Sequence, residues 1–322
     1  MGTVLSELGR SVGLDATAIG RLKNPVHRDA YHYWLQKGMH ASMGYLKRTL
    51  KVRMDPEEAF PWARSVVVAV LSYKTPESPS WKTGRPPEGF NSLPRISCYA
   101  LGEDYHRLLK ERLLLLHGLL ERLAGKSVQR RVFVDTGPLL EREHAAMAGL
   151  GWIGKNTCLI HPRLGSYVFL GTMLLDLDVE LPDSLGFSEI IEDRCGACTR
   201  CLDACPTGAI QKPYLLDASR CISYLTVEHK DAFQGSEASF LGPWVCGCDV
   251  CQAVCPWNVR ASLAVSPEVY PDPCLCGVGL KRLEELDLHA YTMLTRGKAF
   301  DRVGWAQFQR NLRAVSNNLK AQ

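Results

Sequence analysis

Cys195-Gly196-Ala197-Cys198-Thr199-Arg200-Cys201-Leu202-Asp203-Ala204-Cys205-Pro206 is the stretch on which the reading of this chain turns. Its C-x2-C-x2-C-x3-C-P spacing matches the bacterial ferredoxin run. A tight loop of that spacing points three thiolates at one 4Fe-4S cubane, while the fourth cysteine, ahead of a proline, reaches a second cubane. A zinc ribbon would want two separated ligand pairs, not a triad. The end of the run recurs as Cys248-x2-Cys251-x3-Cys255-Pro256, which demands one further ligand from outside its short loop. Cys246 is near but one position out of register; Cys221 lies upstream in Arg220-Cys221-Ile222-Ser223-Tyr224. Spacing favours Cys221 without excluding Cys246. By the crossover rule, Cys195, Cys198, Cys201 and Cys255 then form one set, and Cys205, Cys221, Cys248 and Cys251 the other. Interleaved sets place two clusters close together, as a relay for single electrons.

Working outward, the chain has 322 residues, 46% apolar and 22% charged, which suits a globular protein with one large domain and one or two smaller ones. Thirteen cysteines without an export signal argue for metal or cluster ligation before disulfides. Met1 to Arg28 lacks the basic start, apolar run and cleavage site of a signal peptide, which predicts a cytoplasmic location. The longest apolar runs fall short of the roughly 18 residues that cross a bilayer, so no membrane span is expected. The formal charge is +4. Each 4Fe-4S core held by four thiolates adds about −2, so two bring the total to roughly zero. A polyanionic partner must then be met by a local basic face.

Helical spacing through Leu5, Leu8, Val12 and Leu14, and through Tyr31, Trp34 and Leu35, predicts a helical first 60 residues. Arg64 to Tyr73 reads as a buried strand, Tyr105 to Leu123 as an amphipathic helix and Arg131 to Val134 as a strand. Asp135-Thr136-Gly137-Pro138 is expected to open a helix running to about Gly149, with Pro138 in its first turn. Strands return over Thr157 to Ile160 and Tyr167 to Leu175, and a turn region at Pro182 to Gly186 marks a boundary. The expected organisation is α+β: a catalytic domain over 1–182, a dicluster domain over 183–265 and a short helical C-terminal tail over 266–322.

A plain ferredoxin needs only the cysteine segment, so the preceding residues require chemistry of their own. Gly149-Leu150-Gly151-Trp152-Ile153-Gly154 is literally G-x-G-x-x-G, but a dinucleotide site needs a strand entering and a helix leaving, and here the order is reversed. It reads as a glycine-rich helix exit. Asp104-Tyr105-His106 hints at a cobalt-ligating histidine, yet Leu109 stands where D-x-H-x-x-G wants glycine, so His106 reads as a satisfied or pocket-lining residue. Cys98 by itself is a small buried hydrophobe. Asp135, at a strand end facing a helix start, is either a helix cap or a candidate acid.

Val134 to Pro138, Glu141-Arg142, Gly149 to Asn156, Gly165-Ser166, Leu170-Gly171 and the cysteine set together resemble the epoxyqueuosine reductases. Arg53-x-Asp55-Pro56, Tyr99 to His106, Arg220 to Thr226 and Cys255-Pro256-Trp257-Asn258 extend the likeness over nearly the whole chain. The resemblance implies a nitroreductase-like cobalamin-binding domain followed by a bacterial ferredoxin-like dicluster domain, and it selects Cys221 over Cys246. It implies cobalamin bound without a protein histidine on cobalt, in keeping with the broken histidine pattern. Cofactor contacts fall on Arg53, Cys98, Asp135, Lys155, Asn156 and Ser223, with Asp135 as proton donor. The implied reaction is reduction of epoxyqueuosine to queuosine at the tRNA wobble position, using two electrons and two protons.

The implied partners are a tRNA anticodon loop and an external donor of ferredoxin or flavodoxin type, with the enzyme a monomer. Lys47, Arg48, Lys51, Arg296, Lys298, Arg302, Arg310 and Arg313 are candidate phosphate contacts. Longer family members append helical repeats after the region matched here. Two readings compete: another corrinoid iron–sulfur reductase of reductive dehalogenase type, and a non-enzymatic dicluster electron carrier. Cys158, Cys246, Cys274 and Cys276 have no assigned task.

Overall fold

The computed structural model describes residues 2–178 and 190–321; the turn expected at Pro182 to Gly186 and the 182/183 boundary lie outside them. At its centre a four-stranded sheet is built from β1 (Ala16–Arg21), β2 (Ser65–Ser72), β3 (Arg130–Phe133) and β4 (Val168–Leu175). The spatial order is β1-β2-β4-β3, antiparallel throughout, with Val68 of β2 opposite Ala18 and Thr172.

Every residue of β2 is buried. Side chains alternate across a strand, so Val67, Ala69 and Leu71 pack with Leu109, Leu113 and Leu116 of α3 (Tyr105–Ala124), while Val66, Val68 and Val70 pack with Ala145 and Leu139 on the opposite face. Cover on both faces explains a continuous apolar run in an antiparallel strand. Each of the three leucines on α3 contributes roughly 1.5–3 kcal/mol by leaving water.

The architecture is mixed helix and sheet, as the sequence implies. Three elements differ; the strand expected over Thr157 to Ile160 is reduced to Leu159–Ile160, because Thr157 turns at φ +66°. The first 60 residues contain α1 (Gly2–Ser11) and α2 (Arg28–Gln36), but β1 lies between them, its carbonyls and N–H groups taken up by the edge of β2. The helix expected from Pro138 starts three residues later, as α4 (Glu141–Met147). Residues 135–140 form a loop instead. After α4 the short strand Trp152–Ile153 leaves, so the glycine-rich stretch has helix before strand, as anticipated; a Cβ on Gly151 would lie 2.2 Å from the Ile160 carbonyl oxygen.

The cysteine segment is mostly loops and four-residue helices, stitched to the sheet domain. Trp244–Cys246 pairs in parallel with Arg95–Ile96, and the buried Asn258 accepts the Ser166 N–H at 2.7 Å. The Lys74 ammonium is spent on the carbonyls of Asn258 and Ala261. The tail is helical as expected, ending in α5 (Trp305–Lys320). Phe308, Leu312 and Val315 of α5 join Tyr224, Leu225 and Val245 in one core. Asn311, fully buried, donates to the carbonyls of Thr226 (2.8 Å) and Val245 (2.9 Å), bracing the π turn Tyr224–Glu228.

Candidate functional site

The cysteine thiols of this segment lie in two neighbourhoods. Cys201 is pushed up to about 12 by burial and then by Cys255, Cys195 and Cys198. Cys255 is pushed up to about 11, by burial first and with Cys195 among its neighbours. Cys248 is raised well above the ordinary thiol range by burial, with Cys221 and Cys205 close by; Cys251 is raised by its contact with Cys158 and by burial, near Cys248 and Cys221. Cys158 stands among these thiols too, beside Cys251 and near Cys221 and Cys255. Cys195, Cys198, Cys201 and Cys255 line one cavity of about 240 Å³ together with Lys155, Trp257 and Arg260. Soft thiols crowded this closely are what a cationic iron–sulfur core would hold as thiolates, so the donor chemistry present fits 4Fe-4S clusters. Cys246 lies apart in the core of the tail, fully buried, 4.0 Å from the Tyr99 hydroxyl.

The residues around these loops secure them. Lys155 Nζ donates to the carbonyls of Gly196 (2.5 Å) and Cys198 (3.1 Å). Asn156 Oδ1 accepts the Cys158 N–H at 3.2 Å while its amide donates to the Cys251 carbonyl at 3.5 Å, which holds Cys158 beside Cys251. Burial pushes the Cys221 thiol up, partly offset by the backbone of Tyr224 and Ser223.

The second candidate feature is the loop after β3. Asp135 sits at φ +57°, a left-handed conformation that costs a non-glycine residue about 1–3 kcal/mol. Its N–H donates to Glu141 Oε2 at 2.7 Å, and buried Arg53 donates to the carbonyls of Gly137 (3.1 Å) and Leu139 (3.0 Å). These bonds are why the chain forms a loop here, not a helical turn, and why Asp135 caps nothing. Gly137 is required: a Cβ would lie 2.4 Å from the Phe133 ring.

The Asp135 side chain is half exposed and faces the tail. Arg302 Nη1 is 2.9 Å from its Oδ2 and His106 Nε2 is 3.3 Å from the same oxygen. Burial pushes this carboxyl up, but the His106 hydrogen bond and the Arg302 charge outweigh it and hold it at about 2. Glu141 goes the other way, up to about 8, through burial and the charge of Asp135. Arg302, His106 and Glu141 were not assigned to this site from the sequence; only the D-x-H fragment signalled His106.

Cys98 is buried as expected, and it is also tied to the cluster segment. The Asp249 carboxylate accepts its N–H at 2.9 Å and the Ser97 hydroxyl. From Tyr73, whose ring approaches Cys98, an aromatic row runs through Phe169 (4.3 Å between centroids) and Tyr105 (4.2 Å) to His106 (4.0 Å), beside Asp135. Near the Asp135 loop, Glu141 Oε1 and Tyr31 Oη are buried without a partner among the described residues. The row belongs to the buried core, so what the site offers a cofactor with hydrogen-bonding arms is the unpartnered Glu141 Oε1 and Tyr31 Oη.

Of the basic candidates, Lys51 pairs with Glu58, Lys298 with Asp272 and Arg302 with Asp135 and Glu228. Arg310 donates to the carbonyls of Leu225, His229 and Asp231, so it braces the π turn. Lys47, Arg48, Arg296 and Arg313 are exposed.

Comparison with known proteins agrees with this geometry. The family described as epoxyqueuosine reductase QueG, DUF1730, matches residues 53–136, and the 4Fe-4S double cluster binding domain matches residues 194–258. The epoxyqueuosine reductase of Salmonella typhimurium is 33% identical over 314 residues, covering 98% of this chain and 79% of the relative. That of Escherichia coli K12 is 35% identical over 285 residues, 88% of this chain and 72% of the relative. A crystal structure of an epoxyqueuosine reductase with an epoxyqueuosine-modified tRNA-Tyr stem loop superposes with a TM-score of 0.84 at 30% identity, covering 99% of this chain and 81% of that one. Clustered thiols, a strand-end aspartate in a strained loop and likeness along almost the entire length lead to one conclusion: the chain belongs to the epoxyqueuosine reductase family.

Proposed function

We propose that this chain is an oxidoreductase that reduces epoxyqueuosine to queuosine at the wobble position of tRNA, its cofactors being two 4Fe-4S clusters and cobalamin. One observation carries the reading: the chain superposes along 99% of its length on an epoxyqueuosine reductase bound to a modified stem loop. Family membership favours it over a reductive dehalogenase-like enzyme and over a non-enzymatic dicluster carrier.

In this reading residues 1–182 are the nitroreductase-like cobalamin-binding domain, 183–265 the ferredoxin-like dicluster domain and 266–322 its helical extension. Cys195, Cys198, Cys201 and Cys255 ligate one cluster; Cys205, Cys221, Cys248 and Cys251 ligate the other. The second set, joined to Cys98 through Asp249, is the one that would serve the cobalamin site. When bound, clusters and cobalamin supply strongly reducing electrons one at a time. The protein's own residues position and insulate. Lys155, Asn156 and Ser223 hold the cluster loops, and Arg53 holds the Asp135 loop, framing the cofactor site. Asp135 delivers a proton to the oxygen of the opening epoxide.

Exposed Lys47, Arg48, Arg296 and Arg313 meet phosphates of an anticodon loop, whose unstacked bases suit a pocket. Among the described residues no helix is long and apolar enough to cross a membrane. A cytoplasmic monomer that takes electrons from a ferredoxin or flavodoxin suits this substrate. The test is to incubate anaerobically reconstituted, reduced protein with epoxyqueuosine-bearing tRNA and to digest the product for nucleoside mass spectrometry. Queuosine is expected; untouched epoxide nucleoside would overturn the assignment.

A further inference from the structure

Two carboxylates flank one imidazole at the Asp135 site. His106 Nδ1 lies 2.6 Å from Asp104 Oδ1, and Nε2 lies 3.3 Å from Asp135 Oδ2. Asp104 caps α3 by accepting the His106 backbone N–H at 3.0 Å, so the carboxylate that fixes the ring is itself fixed. The ring stacks on Tyr105 at 4.0 Å between centroids. His106 therefore has one orientation, with Nδ1 toward Asp104 and Nε2 toward Asp135.

We propose that His106 is the proton store of this site, its imidazolium Nε2–H recharging Asp135, which passes the proton to the oxygen leaving the epoxide. The inference rests on the function proposed above and adds the source of the protons. Asp135, with a guanidinium and an imidazole on one oxygen, is held at about 2 and is a carboxylate at neutral pH, with no proton of its own to give. For His106, burial favours the neutral ring, but the bonds to Asp104 and Asp135 outweigh it and raise the group to about 9. The stored proton thus sits on nitrogen.

The balance closes. Reduction of one epoxide consumes two electrons, which the clusters of the proposed function supply, and two protons, and releases one water. In each pass the His106 Nε2–H bond breaks and an Oδ2–H bond forms on Asp135. That bond then breaks as the substrate oxygen gains its hydrogen. The ring is left neutral, still donating Nδ1–H to Asp104, and reloads from solvent, to which its side chain is 19% exposed. Two passes deliver both protons. The discharged ring also has a partner: Arg302 Nη1 lies 3.0 Å from Nε2, placed to donate to the lone pair that the departing proton exposes. The groups facing His106 are thus Asp104 and Tyr105 from its own element, Asp135 from the loop after β3, Glu141 from the start of α4, and Arg302 from the tail, whose other arm meets Glu228 at 3.7 Å.

The experiment uses reconstituted holoprotein and reads single-turnover queuosine formation against pH for wild type and His106→Gln. Alongside it, NMR titration of ring-labelled histidines identifies the His106 signal by its loss in the variant. Expected are a wild-type rate that falls as pH passes about 9, a variant slower by about 100-fold with that alkaline limb gone and unchanged KM for tRNA, and a His106 signal that titrates near the same pH and moves down in Asp104→Asn. A variant that keeps the wild-type rate and pH profile overturns the proposal, and so does a His106 signal that titrates at or below the ordinary value near 6.5. The NMR arm reads the wild type and stands even if the variant misfolds. Wild type that forms no queuosine at any pH overturns the functional reading as well, whereas an active wild type with an unaffected variant overturns the proton store alone.

Discussion

Arg302 Nη1 lies 2.9 Å from Asp135 Oδ2, so the C-terminal segment closes onto a loop 167 positions earlier in the chain. The pair is about half exposed, which limits its worth to roughly 0–1 kcal/mol. Arg302→Gln is therefore expected to lower Tm by no more than a few degrees while slowing queuosine formation about tenfold, because Asp135 loses the charge that orients it. Calorimetry and single-turnover kinetics on the same preparation check both halves.

Glu141 makes stability depend on pH. Its carboxyl is raised to about 8 in the folded protein by burial and the charge of Asp135, against about 4.3 in an unfolded chain. Between those values the native state binds more protons than the unfolded one, so this group lowers stability as pH rises through that window. Glu141→Gln cannot ionise and keeps an acceptor for the Asp135 N–H. Wild-type Tm should fall relative to the variant between about pH 5 and pH 8; parallel curves would speak against a buried, protonated Glu141.

Cys221 and Cys246 separate on iron content. Cys221→Ser should bind about four irons and Cys246→Ser about eight per chain. Iron and sulfide analysis of anaerobic protein decides; equal loss in both variants would place Cys246 among the ligands.

Asn311 is a test of the tail. Its amide satisfies the carbonyls of Thr226 and Val245 in a fully buried position, and an unpaired buried polar group costs about 1–3 kcal/mol. Since Gln307 also donates to the Thr226 carbonyl, Asn311→Leu should orphan chiefly the Val245 carbonyl and cost about 1–3 kcal/mol, read as a drop in Tm of a few degrees with broadening of the cluster spectrum, since the π turn follows Cys221. An unchanged Tm would mean that the tail does not brace the dicluster segment.

The cluster loops were legible because thiol spacing is local and the chemistry tolerates few alternatives. The central strand was legible because Val66 to Leu71 is uniformly apolar. What escaped the reading is non-local. β1, Ala-Thr-Ala-Ile-Gly-Arg, has no strong strand signature and is a strand because the edge of β2 supplies its hydrogen bonds. Pro138 suggests a helical first turn, yet Arg53, some 80 positions earlier, takes the carbonyls of Gly137 and Leu139 and keeps the segment a loop. Arg302 and Arg310 looked alike in a basic tail; one meets a carboxylate in the candidate site and the other is consumed by backbone carbonyls. No periodicity or motif carries pairings between such distant stretches.

The most direct measurement is the queuosine to epoxyqueuosine ratio in tRNA after one turnover, compared between wild type and Asp135→Asn with both cluster spectra intact. Asn cannot carry the proton, so conversion by wild type and a loss of about 100-fold or more in the variant are expected. Equal conversion by the two proteins would contradict the role given to Asp135.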